Sequence, residues 1–149
     1  SSRKKVHQFT ENYDTLLLGI EISRETLYFK INKRVDIMLC HGLFNEVQHL
    51  VEQGFETSQS MKAIGYKELV PVIKGNVSID VAVDKLKQHS RQYAKRQLTW
   101  FKNKMNVHWL NKETMSLQMM LDEITTQINK RSSNHDCKRK HPRSSTREL

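Results

Sequence analysis

The chain has 149 residues and a formal net charge of +9, with 37% hydrophobic and 28% charged residues. This is the length of one ordinary domain, and the positive charge favours an anionic partner over a cationic one. No apolar run approaches the roughly 20 residues of a membrane-spanning helix, so we expect a soluble protein without a membrane partner. Two cysteines, Cys40 and Cys137, are too few for a disulfide framework, which favours reduced thiols and a cytoplasmic location.

The first half of the chain is predicted to contain one strand and three helices. The apolar run within residues 13–22 has the length of a buried strand, which usually lies in a parallel sheet and needs partner strands elsewhere. Ser23 is a suitable N-cap for the first helix. The predicted helices cover residues 23–40, 43–53 and 61–75, the last interrupted near Gly65 and at Pro71.

The second half is predicted to contain one long helix, a short strand and a terminal helix. Ser78 caps the long helix, which should persist to about Lys102. β-Forming residues at 106–110 predict a strand, and apolar residues spaced by three and four predict a helix over 116–129. Residues 131–149 are basic and poor in aliphatic side chains, so we expect a disordered tail.

The long helix carries the strongest functional signal. Its residues 85–104 include seven Lys or Arg and no Asp or Glu. At 100° per residue, one arc of about 100° holds three cations, two glutamines and a threonine, while apolar side chains gather opposite and can be buried. The residues of this arc are Gln88, Arg91, Gln92, Lys95, Thr99 and Lys102. Cations and amides on one face indicate nucleic acid as the partner, although a merely solvated basic face has the same pattern.

Two further positions have open interpretations. Arg34 lies beside the apolar stripe of the first helix, seven residues after Leu27, so it either extends to water or meets an anion in a cleft. Gly65 indicates either a close backbone approach to a ligand or a tight helix start. Common phosphate-loop, dinucleotide and hydrolase motifs are absent from the sequence. A metal site is not predicted either, because His135, Cys137 and His141 lack a fourth ligand. The residues alone indicate a helical, anion-binding piece of a larger α/β protein.

Four segments of the chain occur together in the order of a known family. They are 24–47, Ala-Ile-Gly-Tyr-Lys-Glu-Leu at 63–69, Arg-Gln-Tyr-Ala-Lys-Arg-Gln-Leu-Thr-Trp at 91–100, and Val-His-Trp-Leu at 107–110. With this order and spacing, residues 1–130 resemble the C-terminal portion of the tRNA isopentenyltransferase family, the tRNA dimethylallyltransferases. The resemblance implies a P-loop kinase-like α/β core with a parallel sheet, to which this mainly helical chain contributes several helices and about two strands.

The resemblance also implies a reaction and its partners. Such enzymes transfer a dimethylallyl group from dimethylallyl diphosphate to N6 of the adenine 3′ of a tRNA anticodon. The expected partners are the tRNA anticodon stem-loop, dimethylallyl diphosphate and Mg²⁺, and we expect a monomer. The family's phosphate-binding loop and general-base aspartate lie upstream of the segments found here. We therefore expect this chain to be inactive alone and to contain no metal ligands.

Individual site residues follow by matching family motifs. Arg34 matches an arginine near the donor diphosphate. The tRNA-binding segment is matched by Arg91, Gln92, Lys95 and Arg96. Less distinctive matches are Gly65, Tyr66, Lys67 and Thr99. Two other readings remain: a free-standing helical RNA-binding module, and a structural subdomain whose basic face is only solvated.

Overall fold

The computed structural model describes residues 15–139, and the side chains of residues 15–132. The described residues form five α-helices and two strands, joined by short loops and 3₁₀ turns. The elements are β1 (Leu17–Glu21), α1 (Arg24–Cys40), α2 (Leu43–Glu52), α3 (Tyr66–Ile73), α4 (Ile79–Lys104), β2 (Val107–Asn111) and α5 (Leu117–Arg139). This confirms the predicted mainly helical chain with two strands. The chain divides into two compact units, residues 22–106 and the remainder.

The unit of residues 22–106 packs α1 to α4 around a small apolar core. Its largest fully buried side chains are Val47, Leu69 and Leu86, one from each of α2, α3 and α4. Two serine caps predicted from the sequence are confirmed. The Ser23 hydroxyl accepts the Thr26 N–H at 3.3 Å, and the Ser78 hydroxyl caps α4 in the same way.

The third predicted helix differs from the structure. Residues 60–62 form a 3₁₀ turn, and α3 begins only after Gly65, whose φ of +109° strains any L side chain. Pro71 was expected to interrupt the helix but lies inside α3. Proline removes one backbone donor, and the burial of Leu69 two residues earlier holds this short helix against the core despite that loss.

The apolar side of α4, which from the sequence can be buried, is only partly buried in the structure. Ala82 and Leu86 are buried, whereas Tyr93, Trp100 and Phe101 are 40–52% exposed. α1 and α3 pack against α4, and the contacts of α1 with α4 include Lys87 and Arg91 near its middle. The last three turns of α4 therefore project beyond the buried core of this unit.

The second unit contains a parallel sheet of β1 and β2 together with α5. Leu17 pairs with Val107 and Glu21 with Asn111, so the register is continuous over both strands. Gly19 lies opposite Trp109, and a Cβ added there would be 2.7 Å from two atoms of the indole ring. The glycine is thus required by a close side-chain approach, not by its backbone angles.

α5 extends further than predicted. It continues ten residues past the expected end at Asn129, and thus past the predicted tail boundary at residue 131. Arg131 Nη1 donates to the Thr15 carbonyl oxygen at 2.5 Å within the same unit. Residues 140–149 of the predicted tail lie outside the described residues. No helix in the described part of the chain is long and apolar enough to cross a membrane.

Candidate functional site

The predicted cationic face of α4 forms a shallow open groove along the exposed end of the helix. It contains three of the four predicted tRNA-binding residues, together with Thr99. The groove is lined by Gln92, Lys95, Arg96, Thr99, Trp100, Asn103 and Lys104. No carboxylate lies among these lining residues. The exposed side chains of Lys95 and Arg96 have no carboxylate partner among the described residues. The groove therefore presents positive charge, amides and a hydroxyl to solvent, which suits a polyanion.

Arg91 has a different environment from its neighbours in the motif. Its Nη1 donates to Asn32 Oδ1 at 2.7 Å, and its guanidinium carbon lies 6.0 Å from the centre of the Tyr28 ring. Both contacts are to α1, so Arg91 connects α4 to α1 and does not line the groove of Lys95 and Arg96. Its contact with tRNA stays a prediction, and its observed role is to hold two helices together.

Arg34 lies at a second groove, between α1 and α4. This groove has a volume of about 610 Å³ and mostly apolar walls. The apolar lining comprises Leu27, Ile31, Val35 and Met38 of α1, Ile64, and Leu86 and Ala94 of α4. Arg34 supplies the positive charge of this lining, and its side chain is exposed. On the α4 side, the Gln97 amide donates to the Tyr93 hydroxyl at 3.3 Å. The arrangement can accept an apolar group ending in an anion.

The Gly65-Tyr66-Lys67 motif lies in neither groove. Its geometry corresponds to a tight helix start, one of the two interpretations of Gly65, because the Gly65 N–H donates to Glu68 Oε2 at 2.8 Å. The Tyr66 hydroxyl donates to the Glu46 carboxylate, and this hydrogen bond raises the pKa of Tyr66. Lys67 is half-exposed, with its Nζ 3.6 Å from Glu68 Oε1. Only the preceding Ile64 reaches the Arg34 groove.

The sequence reasoning missed a polar pair between a buried glutamate and a partly exposed histidine. Glu68 of α3 is buried, and its second carboxylate oxygen accepts from His89 Nδ1 of α4 at 2.6 Å. Glu68 thus binds the start of its own helix with one oxygen and the neighbouring helix with the other. A glutamate three residues after Gly65 is the sequence signal of half a capping box and could have revealed the first of these contacts.

The described residues do not fit a magnesium site. They include no group of three or more Asp, Glu, His or Cys side chains that could hold a metal ion. Mg²⁺ requires oxygen ligands, and no carboxylate lines either groove. The expected Mg²⁺ therefore stays a prediction, with no ligand assigned in this chain. His135, Cys137 and His141 lie outside the described side chains.

Comparison with known proteins decides the family. The IPP transferase family model matches residues 1–104. The chain belongs to the IPP transferase family. This IPP transferase chain is 90% identical over all 149 residues to a tRNA dimethylallyltransferase of Staphylococcus epidermidis and 81% identical to one of Staphylococcus haemolyticus. It spans 45% of the length of each. The family resemblance of the motifs is confirmed.

Two solved structures are similar to this IPP transferase chain. One is a tRNA delta(2)-isopentenylpyrophosphate transferase of Staphylococcus epidermidis, with 90% identity and a TM-score of 0.74 over 83% of this chain and 40% of that one. The other is a tRNA isopentenylpyrophosphate transferase of Bacillus halodurans, with 40% identity and the same TM-score over 85% of this chain and 42% of that one. The fold is therefore shared at both high and moderate identity.

Proposed function

We propose that this chain is the tRNA-contacting and diphosphate-contacting part of a tRNA prenyltransferase. The enzyme would transfer a dimethylallyl group from dimethylallyl diphosphate to N6 of the adenine 3′ of the anticodon. The N6 nitrogen attacks C1 of the dimethylallyl group, the bond from C1 to the diphosphate oxygen breaks, and N6 loses a proton. The observation that carries the proposal is that α4 lines both a carboxylate-free cationic groove and the apolar groove of Arg34.

The Arg34 groove suits an isoprenoid diphosphate. Apolar side chains from α1 and α4 can cover a short hydrocarbon group. Arg34 lines the same groove, so its guanidinium can bind the anionic end of such a ligand. A guanidinium forms short, charge-assisted hydrogen bonds to phosphate oxygens. In the proposed reaction it stabilises the negative charge that develops on the departing diphosphate.

The cationic groove of α4 suits the phosphate backbone of the anticodon stem-loop. Lys95 and Arg96 are exposed and can neutralise phosphates, while Gln92 can hydrogen-bond sugars or base edges. Thr99 donates its hydroxyl to the Lys95 carbonyl oxygen at 2.9 Å and so retains only acceptor capacity for RNA.

The phosphate-binding loop and the general base of the proposed reaction would come from residues outside this chain. A phosphate-binding loop motif is not among the 149 residues, and no aspartate or glutamate lines the described grooves. We therefore expect no turnover from the isolated chain with tRNA and dimethylallyl diphosphate. We further propose that residues outside this chain bind Mg²⁺. The enzyme would be a monomer and would act in the cytoplasm, where its tRNA substrates occur.

The donor role of Arg34 is tested in a full-length enzyme that contains this segment. Arg34→Ala should lower kcat/KM for dimethylallyl diphosphate by about 10- to 100-fold, because one charge-assisted contact to the donor is lost, and leave tRNA affinity within twofold. Lys33→Ala is the matched control, since it removes one exposed positive charge from the same helix without touching the groove lining. An unchanged dependence of rate on donor concentration would refute the role of Arg34.

The tRNA role is tested on this chain with a labelled anticodon stem-loop across a salt series. Lys95→Ala and Arg96→Ala should each weaken binding and lower the slope of log K against log salt by about one, because one phosphate contact is lost. Lys33→Ala again serves as the charge control. Unaltered slopes in both variants would show that these side chains do not meet phosphates and would favour a solvated basic face.

A further inference from the structure

Trp100 is the most unusual side chain of the cationic groove. It lies on α4 with 52% of its surface exposed, and its ring meets the ring of Phe101 edge-on at a centroid distance of 5.0 Å. Burial of a large aromatic ring would contribute substantially to stability, so an exposed indole in a defined groove requires an explanation.

The residues around Trp100 indicate what would cover it. Arg96 precedes it by four residues and Lys104 follows it by four, so both cations lie on the same side of α4 as the indole. Asn103 adds an amide to the same lining. An aromatic face with positive charges before and after it along one line is the arrangement by which proteins hold single-stranded nucleic acid.

We propose that Trp100 is a stacking platform for one unpaired base of the tRNA anticodon loop, with Arg96 and Lys104 on the phosphates flanking that base. This inference rests on the proposed tRNA function and adds a contact beyond the four residues, Arg91, Gln92, Lys95 and Arg96, that match the family's tRNA-binding segment. The base must be unpaired, because bases in a duplex are stacked on their neighbours and present no free face to a side chain.

The charge of the groove favours RNA over a protein segment as the occupant. Covering Trp100 with polypeptide would also bring the nearby cations Lys95, Arg96 and Lys104 out of water, and the lining offers no carboxylate to pair with them. A phosphate backbone brings its own negative charges to the same positions. The same contact can therefore cover the indole and neutralise the cations.

The test uses the 149-residue chain and two RNAs, an anticodon stem-loop and a fully paired duplex with the same number of phosphates. Trp100→Ala should weaken binding of the stem-loop by about 5- to 150-fold, the loss typical of one base–aromatic stack, and change duplex binding by less than twofold. Trp100→Phe should retain most of the affinity, whereas Trp100→Leu, which is apolar but cannot stack, should behave as the alanine variant.

Intrinsic fluorescence provides a second readout. The chain has two tryptophans, and the other, Trp109, lies in the sheet opposite Gly19. Stem-loop binding should quench the indole emission of the wild type. In Trp100→Phe the quenching should disappear while binding persists, because only Trp109 remains to emit. Quenching that persists in Trp100→Phe would assign the signal to Trp109 and overturn the proposal.

The outcomes separate failure of this inference from failure of the proposed function. If Lys95→Ala weakens stem-loop binding but Trp100→Ala does not, the stacking platform is refuted and the tRNA function stands. If neither variant weakens it, both are refuted. Equal weakening of stem-loop and duplex binding by Trp100→Ala, or loss of helical circular dichroism, would assign Trp100 a structural role and also overturn the platform.

Discussion

Removal of the Glu68 carboxylate should strongly destabilise the helical unit. The Glu68 side chain is 2% exposed, and each oxygen accepts one hydrogen bond: Oε2 accepts from the Gly65 N–H at 2.8 Å and Oε1 from His89 Nδ1 at 2.6 Å. Hydrogen bonds to a charged group contribute about 1.5 kcal/mol or more each. Glu68→Ala should therefore reduce the free energy of unfolding by about 3 kcal/mol.

The reason for this magnitude is that both partners of Glu68 lose their acceptor together. Gly65 is itself buried, so its N–H would be left without an acceptor at the start of α3, and the connection from α3 to α4 through His89 would also be lost. For a chain of this size, 3 kcal/mol corresponds to a fall in Tm of roughly 10 °C. Glu68→Gln keeps one acceptor oxygen and should cost less than Glu68→Ala.

The assay is urea unfolding followed by far-ultraviolet circular dichroism, arranged as a double-mutant cycle of Glu68→Ala and His89→Ala. The coupling energy should be about 1 to 2 kcal/mol, since the two side chains share one hydrogen bond. Lys67→Ala is the control: its ammonium is half-exposed at 3.6 Å from the same carboxylate, so it should cost less than about 1 kcal/mol. A coupling energy near zero would refute the argued contact between Glu68 and His89.

Two further predictions concern other parts of the chain. Gly19→Ala should destabilise the two-stranded sheet by about 1–3 kcal/mol, because the new Cβ would lie 2.7 Å from the Trp109 ring. The expected result is a shift in Trp109 emission and a lower midpoint of urea unfolding. An unchanged midpoint would contradict the prediction. The raised pKa of Tyr66 means that its bond to Glu46 stabilises the fold below the ordinary tyrosine pKa of about 10 and is lost as pH rises through the folded value. Wild-type stability should therefore fall more steeply above pH 10 than that of Tyr66→Phe, and parallel curves would count against this.

Local sequence signals predicted the elements well because their causes are local. Serine side chains at positions 23 and 78 accept backbone donors a few residues away, so the starts of α1 and α4 are readable without tertiary information. The strand at Leu17–Glu21 was predicted from an apolar run, and its need for a parallel partner was met by Val107–Asn111. The end of α5 was not predicted, since a polar sequence can continue a helix that its earlier turns have already begun.

Long-range contacts could not be predicted from the sequence, because periodicity does not identify the partner of a side chain. Glu68 and His89 are 21 residues apart, and nothing in either local pattern indicates that α3 and α4 bring them within 2.6 Å. The exposed state of Trp100 was missed for a related reason. Helical spacing placed Trp100 on the apolar side of α4, whereas it lines the cationic groove, and spacing does not show how far along α4 the neighbouring helices extend.

The seven cations of residues 85–104 cannot be divided by composition into those that pack within the protein and those that are available to a ligand. Lys87 lies 2.6 Å from Asp36, and Arg91 donates to Asn32, so two of the cations are used by α1 of the protein itself. Lys95 and Arg96 lie farther along α4, beyond these contacts, and open to solvent. The row of positive charges on α4 therefore contains two groups, cations that hold α4 against α1 and cations that are open to solvent in the groove. Because Lys87 and Arg91 fix the orientation of α4 on α1, the orientation of the cationic groove depends on cations that do not line it.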